Sequence, residues 1–198
     1  MLRSQTGDGR ERREQESPLA EVAMLAQVVG RDKGAFEALY RCYHPRLRRF
    51  IERVTHRPQM VEEILNETML VVWRKAHTYN RQSKVSTWIF GIAFRKALKA
   101  LKRLDEPVEY DPAEDPGCVG PGLEGELMRK EVSAVVGRAV ATLSAEHRAV
   151  VELTYYQGCG YREIAQILSC PVDTVKTRMF YARRRLRAVL ADRLDDIA

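Results

Sequence analysis

Residues 104–125 contain four prolines (Pro107, Pro112, Pro116, Pro121) and four glycines (Gly117, Gly120, Gly122, Gly125). Proline removes a backbone donor and glycine relaxes the chain, so no regular element is expected at that density. The stretch divides the 198-residue chain into two pieces, each short enough to be one small domain. It also divides the charge. Residues 104–125 carry seven Asp/Glu and no Lys/Arg, whereas residues 1–103 carry 21 Lys/Arg against 11 Asp/Glu and residues 126–198 carry 12 against 9. The order basic, acidic, basic marks domain boundaries. We read 104–125 as a flexible acidic linker that could reach about 70 Å when fully extended. The net charge of +6 favours a polyanionic partner, nucleic acid before membrane.

Both pieces read as helical. Residues 1–16 are polar and charged and are expected to be a disordered tail. The first domain, 17–103, opens at Ser17-Pro18, with Leu19, Val22, Ala23 and Ala26 at helical spacing. A second helix starts at Asp32, its expected N-cap, and aligns Phe36, Leu39, Tyr40, Tyr43, Leu47 and Phe50. A third follows Pro58 with the stripe Val61, Ile64, Leu65, Thr68, Met69, Val72 and Trp73. A polar loop over residues 77–86 leads to a fourth helix, Ser86 to Arg103. In the second domain, 126–198, one helix carries Leu127, Val132, Val135, Val136 and Val140. Ser144 caps the next. Gly158 and Gly160 end it, Tyr161 to Leu168 is a short helix, and Asp173 is the expected cap of the last. No alternation of period two outlasts these patterns, so the fold class is all-α: two small helical domains joined by the linker.

Tyr161 to Met179 has the logic of a helix-turn-helix. Ile164, Ile167 and Leu168 give the first helix a core face, and Ala165 is small where a second helix must cross. Val175, Met179, Ala182, Leu186 and Val189 form the inward stripe of the second helix, at steps of four, three, four and three. Lys176, Thr177, Phe180, Tyr181 and Arg184 then point outward, where the second helix of such a motif meets base edges in the major groove. Lysine donates to guanine, threonine pairs flexibly and the aromatics touch thymine methyls. Residues 174–187 hold six cations and no acid, which suits phosphate contact.

The first domain offers a second cationic surface. Residues 74–103 contain nine Lys/Arg and no Asp/Glu, interleaved with Tyr79, Trp88, Phe90 and Phe94. Cations attract phosphate while aromatic faces stack on exposed bases. The neighbouring loop can pocket a base drawn out of the stack. A plain structural role is the alternative, in which Trp88, Ile89, Ile92 and Ala93 are core and Trp88 is at least half buried. Glu62, Glu63, Asn66 and Glu67 cluster near the start of the third helix. They suit either the helix dipole or a basic protein partner.

Cys42, Cys118, Cys159 and Cys170 show no CxxC spacing, and the histidines complete no ligand set, so reduced, partly buried thiols are expected and no metal or other cofactor. There is no apolar run of 18 residues and no signal peptide, which points to the cytoplasm without membrane insertion. No nucleophile–base pair or phosphate loop suggests an enzyme.

The segment Val61-Glu-Glu-Ile-Leu-Asn-Glu-Thr-Met-Leu-Val-Val-Trp73 resembles the polymerase-binding helix of sigma region 2. Ser86-Thr-Trp-Ile-Phe-Gly-Ile-Ala-Phe-Arg-Lys-Ala-Leu-Lys-Ala-Leu-Lys-Arg103 resembles the segment of that region that melts and reads the −10 element. Leu143-Ser-Ala-Glu-His-Arg-Ala-Val-Val-Glu-Leu153 and the helix-turn-helix resemble region 4, which reads the −35 element. The whole is similar to the extracytoplasmic-function sigma factors. The resemblance implies that Glu63, Asn66 and Glu67 bind core RNA polymerase. It implies that Tyr79, Asn80, Arg81, Lys84, Trp88, Arg95, Lys96 and Lys99 contact the −10 strand. It implies that Thr174, Lys176, Thr177, Arg178, Phe180, Tyr181 and Arg184 contact the −35 duplex, with Arg178 on phosphate. Promoter DNA and an anti-sigma factor are the further partners it implies. Arg95 and Lys99 stand where the family commonly has Asn and Asp, so its −10 base preference does not carry over. Ser169 and Asp173 replace common glycines of the motif. Two other readings of the residues stay open here: a helix-turn-helix regulator independent of core polymerase, and a helical protein-only adaptor.

Overall fold

A computed structural model describes the backbone of residues 8–104, 137 and 139–195, and the side chains within 19–104, 137, 139–189 and 191. The described residues form helices and connecting turns: α1 Asp8–Val29, α2 Lys33–Thr55, α3 Pro58–Lys75, a 3₁₀ turn Ala76–Thr78, α4 Val85–Leu104, α5 Ala145–Tyr155, α6 Tyr161–Leu168 and α7 Val172–Asp195. The acidic linker and most of the helix expected around Leu127–Val140 lie outside the described residues. No helix among them is long and apolar enough to cross a membrane.

The amphipathic patterns translate directly into α2, α3 and α4. Asp32 caps α2 by accepting the Ala35 N–H at 2.9 Å. Leu39, Tyr43, Leu47 and Phe50 are fully buried, with Phe36 and Tyr40 half-buried beside them. The helix ends at His56 in the left-handed region, and Pro58, which lacks an N–H to satisfy, starts α3. Thr55 and Thr68 are buried, and each hydroxyl donates to the carbonyl four residues back, Ile51 at 2.8 Å and Ile64 at 2.7 Å. This is how a threonine belongs to an apolar stripe without an unpaired hydroxyl. Phe50 and Phe90 meet edge to face at 5.1 Å, joining α2 to α4.

Two boundaries differ from the sequence reading. Helix α1 begins at Asp8, inside the stretch expected to be a disordered tail, and continues through Ser17-Pro18. Residues 10–16 (Arg-Glu-Arg-Arg-Glu-Gln-Glu) are strong helix formers with opposite charges four apart, a local preference that outweighs their polarity. Helix α7 begins at Val172, so Asp173 lies inside its first turn rather than capping it. A carboxylate there still complements the helix dipole.

The two units are docked on each other. Helix α5 packs on α2, and α6 packs on α4. One apolar cluster runs from Leu25 and Leu39 through Phe90 and Ile92 to Ile164, Leu168 and Met179. A smaller cluster of Leu143, Val151 and Ala182 joins α5 to α7. We expect Asp32→Ala to destabilise the chain by about 1 kcal/mol by removing the cap of α2. That corresponds to a fall in Tm of about 3 °C for a chain of this size. Asp32→Asn should keep most of the stability, and thermal unfolding of the two variants checks both.

Candidate nucleic-acid interface

The helix-turn-helix is built as its pattern requires. Ser144 caps α5 by accepting the His147 N–H at 3.4 Å. Ile164, Ala165, Ile167 and Leu168 of α6 are buried. Ser169 ends α6 with φ of 51°, the left-handed conformation glycine adopts at lower cost, and the Cys170 N–H closes the turn on the Ala165 carbonyl at 3.0 Å. The turn so tolerates serine in place of glycine. From it, α7 buries Val175, Met179 and Ala182 and half-buries Leu186 and Val189.

The opposite face of α7 is open. Lys176, Thr177, Phe180, Tyr181 and Arg184 are exposed, and Thr174 and Arg178 are half-buried. Phe180 and Tyr181 leave 62% and 53% of their surface in solvent and meet edge to face at 5.5 Å. Beyond each other, these two exposed aromatics have no ring contact among the described residues. Lys176 Nζ pairs with Asp173 at 2.9 Å, and the Thr177 hydroxyl donates to the Asp173 carbonyl at 2.9 Å. Arg178 reaches Cys170 Sγ at 3.8 Å, which holds it against the turn.

The second surface lies on α4 and the loop before it. Asn80 Oδ1 accepts the Gln82 N–H at 3.1 Å, the Tyr79 hydroxyl donates to the Ser83 carbonyl, and Arg81 has φ of 61°, so the loop is closed by its own bonds. The Tyr79 and Trp88 rings lie 5.8 Å apart, and Trp88 is half-buried, as its place beside the core predicts. Trp88, Arg95 and Lys99 share one strip of α4, at spacings of seven and four, with Arg95 and Lys99 exposed. Asn80, Arg81 and Lys84 are exposed at its loop end.

Lys96 does not belong to that strip. Its ammonium lies 2.8 Å from Glu67 of α3, half-buried, and holds the Glu67 carboxyl below its ordinary range. The structure thus ties a candidate DNA contact to a candidate polymerase contact. Asn66 is exposed and accepts from the Tyr40 hydroxyl at 3.2 Å. Glu62 faces Arg48 and His44, each at 3.6 Å. Glu63 is exposed with no partner among the described residues.

Several working residues escaped the sequence reading because their partners are remote. Glu163 of α6 receives Lys84 Nζ at 3.2 Å and the Thr87 hydroxyl at 2.8 Å. Glu152 of α5, 2% exposed, lies 3.0 Å from Arg53 of α2. Burial pushes the Glu152 carboxyl up, against the pull of Arg53. Arg148 donates to the Val54 carbonyl through Nε at 2.9 Å and Nη2 at 2.7 Å, and to the Leu143 carbonyl at 2.6 Å. Glu152 carried a signal: an acid inside Val150-Val151-Glu152-Leu153 invites the question of what pairs with it.

The described cysteines are free thiols. Burial, aided by the charge of Glu163, pushes the Cys159 thiol up to about 11. The thiolate is the reactive species, so Cys159 is scarcely nucleophilic near neutrality and gains reactivity only as pH climbs towards that value. No group of His, Cys, Asp and Glu among the described residues could hold a metal ion.

Comparison with known proteins agrees with this geometry. Residues 39–106 match the family described as Sigma-70 region 2, and residues 133–186 match Sigma-70, region 4. The chain is 30% identical over 158 residues to the ECF RNA polymerase sigma factor RpoE of Cereibacter sphaeroides, covering 79% of this chain and 87% of that protein. It is 30% identical over 171 residues to the ECF RNA polymerase sigma factor SigM of Mycobacterium tuberculosis, covering 86% and 85%. Among solved structures, CnrH in complex with the cytosolic domain of CnrY has a TM-score of 0.63 at 21% identity, covering 87% of this chain and 98% of that one. The sigma factor RpoE in complex with the anti-sigma factor NepR from Bartonella quintana also has a TM-score of 0.63, at 22% identity, covering 79% and 96%. These two structures share the fold of this chain. We expect Cys159 to react with iodoacetamide at pH 7.5 at least tenfold more slowly than free cysteine. Peptide mass spectrometry over a time course checks this, and equal rates would contradict a suppressed thiolate.

Proposed function

The chain belongs to the extracytoplasmic-function sigma factors of the sigma-70 family, and from that premise we propose that it binds core RNA polymerase and directs promoter-specific initiation by reading −35 duplex and separated −10 DNA. The observation that carries the reading is the open face of α7. Lys176, Thr177, Phe180, Tyr181 and Arg184 stand exposed, while Val175, Met179 and Ala182 anchor the same helix from behind. A recognition helix needs this division between anchoring and reading sides.

In this reading Lys176 and Thr177 meet base edges near the N-terminus of α7, Thr174, Phe180 and Tyr181 extend the contact, and Arg178 and Arg184 meet phosphate. The Trp88–Arg95–Lys99 strip with Tyr79, Asn80, Arg81 and Lys84 holds the separated −10 strand by stacking and charge. Lys96 joins it only by giving up Glu67. Glu63, Asn66 and Glu67 form the polar face of α3 offered to core polymerase, and of the two carboxylates Glu63 is the one with no competing partner among the described residues. Binding energy spent on the open −10 strand offsets the cost of unpairing it. Polymerase supplies the chemistry, and the chain acts in the cytoplasm without a catalytic residue of its own. An anti-sigma factor completes the partners. The reading is supported there by the fold shared with a sigma factor solved with one.

Run-off transcription with purified core polymerase and a genomic promoter library tests the reading: initiation from a defined subset of promoters is expected, and none at all would overturn it. Lys176→Ala should cost about 1–3 kcal/mol at promoters that depend on the −35 element. Unchanged output from every promoter would remove that role. Glu63→Lys should reduce retention of core polymerase in a pull-down, and undiminished retention would remove α3 as the docking face.

A further inference from the structure

The carboxylates that α3 turns outward are not equally free. Glu62 faces Arg48 and His44, each at 3.6 Å. Glu63 is exposed with no partner among the described residues. Glu67, one turn further on, is held from the neighbouring helix, with Lys96 Nζ of α4 lying 2.8 Å from its Oε2. Lys96 holds the Glu67 carboxyl below its ordinary range, and the charges of Arg103 and Lys99 act in the same direction. Helix α4 therefore cancels part of the negative field by which α3 would attract a basic partner.

The pair is preformed. Lys96 keeps 28% of its side chain in solvent and Glu67 43%. Their sequence neighbours Ala97 and Thr68 are fully buried, so both side chains leave from packed helices. Released from Glu67, the ammonium has no other carboxylate on its own helix. Residues 85–104 hold Arg95, Lys96, Lys99, Lys102 and Arg103 and no acid. Like charges three and four positions away disfavour that release.

A guanidinium grips a carboxylate most strongly through both oxygens. With Lys96 on Oε2, one oxygen of Glu67 is left for an incoming side chain, and a positive neighbour stands beside it. A basic group from outside must displace Lys96 to gain a full hold. Exposed ion pairs shift an equilibrium by up to about fivefold, which bounds the penalty.

Resting on the sigma-factor reading, we propose that Lys96 sets the affinity of the polymerase interface: its ammonium occupies Glu67 in the free chain and competes for that carboxylate with a basic side chain of core polymerase. Lys96 thereby holds the affinity of α3 below what Glu63 and an unmasked Glu67 would give together. The residue acts on polymerase binding through Glu67, from a helix whose neighbouring residues face DNA.

The test titrates the fluorescently labelled full chain with purified core polymerase in the absence of DNA. Lys96→Met keeps the length of the side chain and removes its charge, and it should lower Kd by about fivefold. Lys96→Arg, which keeps the pair, should not lower it. Loss of any cation near a basic partner could tighten binding slightly, so two controls separate that effect from competition. Lys102→Met, which removes an exposed charge of the same helix, should leave Kd nearly unchanged. In a Glu67→Gln background, Lys96→Met should have no effect. Unchanged or weaker binding by Lys96→Met would overturn the competition. So would a tightening that persists without Glu67 or that Lys102→Met reproduces. In each of those cases promoter-specific initiation by the wild type with core polymerase leaves the sigma-factor reading standing. A wild type that does not bind core polymerase at all overturns both.

Discussion

The carbonyl of Val54 sits at the end of α2, where the helix has run out of donors, and Arg148 of α5 supplies two of them. Beside it Glu152, almost wholly removed from solvent, is paired with Arg53 of α2. These contacts are one-directional in their energetics. A buried carboxylate that loses its cation costs several kcal/mol, whereas the intact pair adds little beyond what an apolar contact would give. Their effect is to make docking specific. They hold α5 on α2 in the observed register, and α6 packs on α4 in the same docking. Everything about the relative placement of the two cationic surfaces follows from it.

The same logic appears at the surface in weaker form. Lys84 pairs with Glu163, Lys96 with Glu67 and Lys176 with Asp173. Each of these lysines is a candidate phosphate or base contact, and each already rests on a carboxylate of the same chain. Exposed pairs of this kind are worth at most about 1 kcal/mol, so exchanging a carboxylate for DNA phosphate is inexpensive. The carboxylates set the side chains in place and lower the net positive field of the free protein. Arg95 and Lys99 have no such internal partner among the described contacts. They give the middle of the α4 strip uncompensated charge.

Much of this was legible in the sequence because it is local. The periods of α2, α3, α6 and α7, the caps at Asp32 and Ser144, and the outward set on α7 depend on residues within four positions of one another. The start of α1 is not legible from hydrophobicity, because Arg10 to Glu16 are polar yet good helix formers. The docking was not legible at all. Arg53 and Glu152 are 99 positions apart, and Thr87 and Glu163 are 76 apart. No composition rule pairs them. The Pro- and Gly-rich stretch reads as a boundary between two helical units, but separation along the chain says nothing about contact in space.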